Sequence, residues 1–238
     1  MSLSIIIPCK NEERNIYLLL TNIIHLLKKY DIEVLVIDDH STDNTISIIK
    51  RFNIKKIKVI KNNQIGLGSA ITTGIINSKK KYFSFMMADS SDGIQDLKKY
   101  YLYAKKNKYD GIFGSRFYKK SKVTNYPIVK LLLNRIFNYM VKIIFGYDFN
   151  DFTNAFKCYR TKYIKEKILP IDSYSFNVFF EIPIKCFIYN AVIQKITINW
   201  TGQRKGKSNF LIKELSYHYF FTFIRCLYLK KFKNRFSK

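Results

Sequence analysis

The stretch "FSFMMADSSDG", residues 83–93, places two carboxylates, Asp89 and Asp92, in a small polar loop directly behind a buried-type apolar run. Carboxylates in such a loop hydrogen-bond a ribose or a base, or hold a hard divalent cation that bridges phosphates. Comparable groups stand at the ends of other apolar runs. Pro8 to Glu12, with Asn11 between them, close the run "LSIIIP"; Asp38 and Asp39 close "EVLVIDD"; Ser115 and Arg116 close "YDGIFGS". A single carboxylate is as readily a helix cap or turn residue: Asp43 in "DDHSTDNT" can cap, and Asp92 can simply open a helix at 94. The ligand reading rests on the set, because acidic groups at three separate strand ends are unusual in so basic a chain.

The elements that must position these groups alternate along the sequence. "LSIIIP" (3–8) reads as a buried strand, and Ile16, Leu19, Leu20, Ile23, Ile24 and Leu27 then recur at helical spacing. "EVLVIDD" (33–39), "KIKVI" (56–60), "YFSFMM" (82–87) and "YDGIFGS" (109–115) are further strands, with helices expected over 43–52, 68–79 and 94–106. Such alternation predicts an α/β fold, a mainly parallel sheet flanked by helices, with ligands beyond the carboxyl ends of the strands. "GLGSA" (66–70) lacks the lysine of a phosphate loop and reads as a tight helix start. The three histidines show no pairing, and His40 is expected to be a turn residue.

The chain has 238 residues, 47% of them hydrophobic, which is ample for a folded domain. Its 42 Lys and Arg against 17 Asp and Glu, formally +25, suit an anionic partner: nucleic acid, phosphorylated substrate or acidic lipid. A lysine-rich composition shared with Ile, Asn, Tyr and Phe also accounts for that excess without a designed binding face. Cys9, Cys158, Cys186 and Cys226 are widely spaced and no signal-peptide pattern precedes them. Neither a zinc site nor a disulfide framework is indicated, and a reducing cytoplasm fits. No apolar run reaches the 18 or so residues of a membrane span, since Lys130, Arg135 and Lys142 interrupt 127–146, Glu181 and Lys185 interrupt 176–193, and Arg225 interrupts the tail.

In order, "SIIIPCKNEERNI", "VLVIDDHSTDNT", "GLGSAITTGI", "MMADSSD", "GSRF", "NRIFN" and "DFTNAFKCYR" resemble the family 2 glycosyltransferases of the GT-A fold, over about residues 2–210. Within that family the pattern is most similar to the dolichyl- and polyprenyl-phosphate sugar transferases. The resemblance implies a Rossmann-like catalytic domain over 1–210 and a basic, aromatic, amphipathic helical segment over 211–238. It also implies that Pro8, Asn11, Glu12, Ile37, Asp38, Asp39, Ala88 and Asp89 cradle the nucleotide sugar. In the family an Asp-x-Asp pair holds Mg²⁺ or Mn²⁺ on the donor diphosphate; here the first acid is Met87. A thioether is a poor ligand for a hard cation, which leaves Asp89, alone or with Ser91, Asp92 or water. Arg116 and Arg135 match positions that contact donor diphosphate or acceptor phosphate, a task suited to a guanidinium. Near 204 the family shows Arg-x-x-Gly-x-Ser-Lys, where this chain has "QRKGKSN", so Arg204, Lys205 or Lys207 replaces the basic positions now held by Gln203 and Asn209.

A polyprenyl-phosphate acceptor is already largely dianionic at neutral pH and needs no strong base. A hydroxyl acceptor needs one, and Asp151 in "DFTNAF" is then the candidate; orienting Arg135 or capping the next element are its alternatives. Glu181 matches a family acid, and an ion pair with Lys185 four residues on is equally consistent. Segments 127–146 and 210–238 mix large apolar residues with Lys and Arg, as helices lying in a headgroup region do; a core-facing packing helix with a solvated basic end is the alternative. Many members of this branch carry C-terminal membrane spans that this sequence lacks. The expectation is therefore a metal-dependent, inverting transferase peripheral to the cytoplasmic face of a membrane, alone or docked on a membrane-embedded partner. It would use a nucleotide-sugar donor and a polyprenyl-phosphate or glycolipid acceptor. The alternatives are transfer to a saccharide hydroxyl and a non-catalytic regulatory relative. Nucleic-acid binding is disfavoured, because no ordered recognition motif or basic-aromatic repeat is present.

Overall fold

The computed structural model describes residues 1–202 and 212–236. Its core is a seven-stranded sheet in the order β3-β2-β1-β4-β7-β5-β8. The strands are β1 (Ser2–Cys9), β2 (Asp31–Asp38), β3 (Ile57–Lys61), β4 (Tyr82–Phe85), β5 (Gly111–Ser115), β7 (Lys157–Arg160) and β8 (Ile193–Thr197). All neighbours run parallel except β7, which lies antiparallel between β4 and β5. Two short strands, β6 (Val123–Thr124) and β9 (Trp200–Thr201), form a separate parallel pair.

Period-two alternation assigns the strand side chains to two apolar layers. Ile5, Ile7, Val34 and Val36 face one layer, and Ile6, Leu35 and Ile37 the other, all essentially inaccessible. Helices α1 (Ile16–Lys29) and α4 (Ile94–Lys105) close the first layer through Leu19, Leu20, Ile23, Leu97 and Tyr100. Helices α3 (Leu67–Asn77) and α7 (Val178–Ile188) close the second through Ala70, Ile71, Ile75, Phe180 and Ile184. Each such Ile, Leu or Phe contributes about 1.5–3 kcal/mol by leaving water. The short helices α2 (Thr45–Arg51) and α6 (Thr161–Lys167) complete the connections.

Two longer helices lie outside these layers. α5 (Ile128–Phe145) follows Pro127 and ends at Gly146 in the left-handed region, φ 68°. Its inward side carries Asn134, Asn138, Val141 and Phe145, whereas Ile128, Leu132, Ile136, Tyr139 and Ile143 point outward and are 57–79% exposed. α8 (Ile212–Phe236) packs Thr222, Phe223 and Cys226 inward and leaves Tyr217, Phe220, Phe221, Ile224 and Tyr228 exposed. The tail is the helix its composition predicts, and its exposed side mixes these apolar residues with His218, Arg225 and Lys231.

Candidate active site

The order β3-β2-β1-β4 reverses direction beside β1, and at such a point the loops leaving the carboxyl ends of β1 and β4 diverge and leave a crevice. A cleft of about 1220 Å³ lies there. It is lined by Pro8, Asn11, Glu12, Asp39 and Asp43 from the segments that follow β1 and β2, by Ala88, Asp89, Ser91, Asp92 and Arg116 from those that follow β4 and β5, and by apolar residues of α5, α7 and α8.

The segments that follow β1 and β2 are clasped to each other. After β1, the Glu12 amide donates to Thr45 Oγ1 (2.8 Å) and the Glu13 amide to Asp43 Oδ2 (3.2 Å), while Asn11 Oδ1 accepts the Thr42 amide (2.8 Å). Asp43 also accepts the Thr45 amide at the start of α2, so it acts as a cap and lines the cleft at once. Asp39 is fixed from below: Asn62 Nδ2 donates to Oδ1 (2.7 Å), and the Gly66 amide donates to both oxygens (2.9 and 3.1 Å). Gly66 sits at φ 125°, a conformation that only glycine takes without strain, so "GLGSA" is the tight helix start its composition suggests. Asn62 is almost fully buried and was not singled out from sequence. His40 adopts φ 62°, as a turn residue does. Asp38 accepts the Ser41 amide and Ile37 is buried in the core; neither side chain lines the cleft.

In the acidic loop, the Ser91 amide donates to Asp89 Oδ1 (3.0 Å) and Asp92 Oδ2 accepts the Met87 amide (3.1 Å). Asp92 thus folds back on the residue that replaces the first family acid, and Gly93, not Asp92, occupies the cap of α4. Burial, reinforced by the charge of Asp89, pushes the Asp92 carboxyl up to about 7. Glu12 is raised as well, by burial first and then by Asp89 and Asp43, against the Asn15 hydrogen bond. The carboxylates of the cleft therefore repel one another, which is the charge state a cation relieves. Among the described residues no cluster of three or more His, Cys, Asp or Glu is arranged to hold a metal unaided. Asp89 with its neighbours instead suits a hard cation shared with substrate phosphates, because Mg²⁺ uses one or two carboxylates and keeps several waters.

Three of the sequence motifs converge on the turn at 150–154. Arg116 is 6% exposed and bound to Asp151 by its amide and Nε (both 2.9 Å) and by Nη2 (2.7 Å). Burial works against the Arg116 charge, but Asp151 overrides it and holds the guanidinium above its ordinary range. Phe117, Tyr126 and Trp200 surround it at 5.2–5.9 Å. Arg135 does not line the cleft; it stacks on Phe117 (4.2 Å) and donates to the Asn150 carbonyl (3.0 Å). Asp151 orients Arg116, not Arg135, and both its oxygens are engaged. Asn134 and Asn138 reach inward from α5 to Thr153 and to the Phe152 amide, and the buried Lys157 ammonium caps the Phe152 and Asn154 carbonyls. Asn134 and Asn138, four apart on a largely apolar helix, are a readable signal of an inward polar face. Arg204, with Gln203, Lys205, Lys207 and Asn209, lies outside the described residues.

Residues 4–167 match the glycosyl transferase family 2 profile. The chain belongs to glycosyl transferase family 2. Dolichol-phosphate mannosyltransferase of Pyrococcus furiosus is 33% identical over 137 residues, 57% of this chain and 39% of that protein. Dolichyl-phosphate beta-glucosyltransferase of Saccharomyces cerevisiae is 37% identical over 108 residues, 41% of this chain and 32% of the yeast enzyme. The chain thus spans less than two fifths of the length of these relatives. Among solved structures, glucosyl-3-phosphoglycerate synthase from Mycobacterium tuberculosis superposes with a TM-score of 0.74 at 15% identity, covering 95% of this chain and 80% of that one. The same synthase has been crystallised with Mn²⁺, UDP-glucose and phosphoglyceric acid. At that identity the likeness bears on fold alone, and the fold is the GT-A arrangement that the motifs of this family 2 member imply.

Proposed function

We propose that the chain transfers a sugar from a nucleoside diphosphate sugar to a polyprenyl-type lipid phosphate at the surface of an acidic membrane. The observation that carries this reading is the mixed lining of one cleft. Its carboxylates suit a nucleotide sugar, and Leu133, Phe137, Met140, Phe179, Phe220 and Phe223 give the same cleft an apolar wall suited to isoprenoid hydrocarbon. Arg116 and Asp89 line it as well, as groups that would meet the reacting phosphates.

Asp39 would hold the nucleoside, and Asp89, with Ser91 and Asp92 beside it, would hold a Mg²⁺ or Mn²⁺ ion. That cation would neutralise the departing diphosphate. Arg116, kept charged and immobile by Asp151, aligns the incoming phosphate against its repulsion from the donor. The acceptor oxygen attacks the anomeric carbon as the bond to the nucleoside diphosphate breaks, with inversion. An acceptor phosphate with a second pKa of about 6 brings its own nucleophilic oxygen. The commitment of Asp151 to Arg116 favours such an acceptor over a hydroxyl that needs a base.

The outward stripe of α5 continues the apolar wall of the cleft, since Leu133, Ile136 and Met140 belong to both. Together with the +25 charge, this continuity favours an acidic bilayer as the surface that covers the stripe. A headgroup-level position on the cytoplasmic leaflet would bring a lipid phosphate to the mouth of the cleft. Among the described residues no helix is long and apolar enough to cross a membrane.

The test is thermal stability with UDP, GDP and CDP, with and without Mn²⁺ or Mg²⁺, followed by sugar transfer to undecaprenyl or dolichyl phosphate scored in an organic extract. One diphosphate should raise the melting temperature in a metal-dependent way, and Asp89→Asn should lose that shift along with 10²-fold or more of the rate. Product that stays in the aqueous phase on a saccharide acceptor would replace the lipid reading, and no shift with any nucleotide would end the transferase reading.

A further inference from the structure

α8 is bound to the loop at 170–177 and the first turn of α7 by three side chains spaced three apart. Tyr219 donates to the Phe176 carbonyl (3.0 Å), Thr222 Oγ1 accepts from Asn177 (2.8 Å), and Arg225 Nη2 donates to Glu181 Oε2 (2.8 Å). Glu181 is completely buried and is the hub: it also takes the Asp172 amide (3.1 Å), the Ser173 hydroxyl and Lys185 (2.6 Å). Burial alone would raise its carboxyl, but Lys185, Ser173 and Arg225 hold it below the ordinary range, so it stays ionised.

The loop so held presses on the start of α3. The Gly68 amide donates to the Tyr174 carbonyl (3.0 Å), and a Cβ on Gly68 would lie 1.9 Å from the Ser173 carbonyl oxygen. Two residues earlier, the Gly66 amide grips both oxygens of Asp39. An unbroken path of hydrogen bonds and backbone contact therefore runs from α8, whose Phe220 and Phe223 line the cleft, to Asp39, which lines it too.

We infer that Glu181 and Arg225 are positioning residues for nucleoside binding in the cleft, acting through the 172–175 loop and the Gly66–Gly68 turn on Asp39. The inference rests on the donor reading given above and adds to it a regulation: whatever seats or displaces α8 sets the orientation of Asp39 and with it donor affinity.

The test compares wild type, Arg225→Leu, Arg225→Lys and Gly68→Ala. Each is titrated with whichever of UDP, GDP and CDP stabilises the wild type, with the corresponding monophosphate, and with and without Mn²⁺. Arg225→Leu should bind about tenfold more weakly, equally for mono- and diphosphate, with the Mn²⁺ enhancement unchanged, because Asp89 lies off the path. Arg225→Lys should recover most of the loss. Gly68→Ala should reproduce the loss from the other end without touching α8, which keeps the test decisive if one variant folds poorly. Wild-type affinity in both Arg225→Leu and Gly68→Ala overturns the inference and leaves the donor reading intact. A loss that also abolishes the Mn²⁺ enhancement overturns it as well, since general loosening would then suffice. Absence of nucleotide binding by the wild type removes the donor reading and the inference together.

Discussion

Lys157 is a buried lysine whose chemistry departs far from that of its type. Burial pushes its ammonium down to about 7, against the pull of Asp151, while it caps the carbonyls of Phe152 and Asn154. Below pH 7 the lysine is charged in folded and unfolded chain alike, and the full cost of burying it is present. Above 7 the folded form sheds the proton while the unfolded chain keeps it up to the ordinary lysine range, so this residue's contribution to stability rises with pH from about 7 upward. NMR of selectively labelled lysine should show one side chain titrating near 7, and Lys157→Met should remove that resonance alone. Neither Lys157 nor Asn62 is legible in the sequence, because their partners lie on carbonyls and carboxylates that only the fold brings near. Asp89, Asp39 and Arg116 are legible, because each directly follows an apolar run and the end of a strand fixes where it must point. Ile37 shows the limit of motif carry-over: it stands in the right place in the pattern, yet its side chain belongs to the core.

Among the elements, α5 carries apolar residues on the side away from the protein as well as toward it. Asn134 and Asn138 face the protein, where they satisfy the 150–154 turn, and the apolar stripe faces away. Replacing Leu132 and Ile143 by glutamate should cut sedimentation with phosphatidylglycerol vesicles at least tenfold, given about 1.5–3 kcal/mol for each apolar side chain taken from water. The nucleotide-induced rise in melting temperature should be unchanged, because neither residue lines the cleft. Apolar runs and helical spacing are enough to place β1, α1, β2, α3 and α4. They are not enough for β7, which forms part of "DFTNAFKCYR" and reverses the sheet direction between two parallel neighbours. The run "KCYR" is too short to alternate, and its strand state follows from pairing with Tyr82–Ser84 and Gly111–Phe113.

At the scale of the whole molecule, a formal charge of +25 acts in two opposite senses. Self-repulsion strains the folded chain, and the same field draws it to anionic surfaces. Raising NaCl from about 20 to 300 mM shortens the Debye length severalfold. The melting temperature should therefore climb over that range while binding to acidic vesicles declines, a pair of slopes measurable on one preparation. The inserted strand β7 has a further consequence, for the chain as it leaves the ribosome. The edge of β4, Tyr-Phe-Ser-Phe, is finished about seventy residues before Lys157–Arg160 arrive to cover it. At roughly 5–20 residues per second, that edge waits several seconds as a bare aromatic template. Fragments truncated between β4 and β7 should aggregate through that edge, and light scattering beside the full chain measures it.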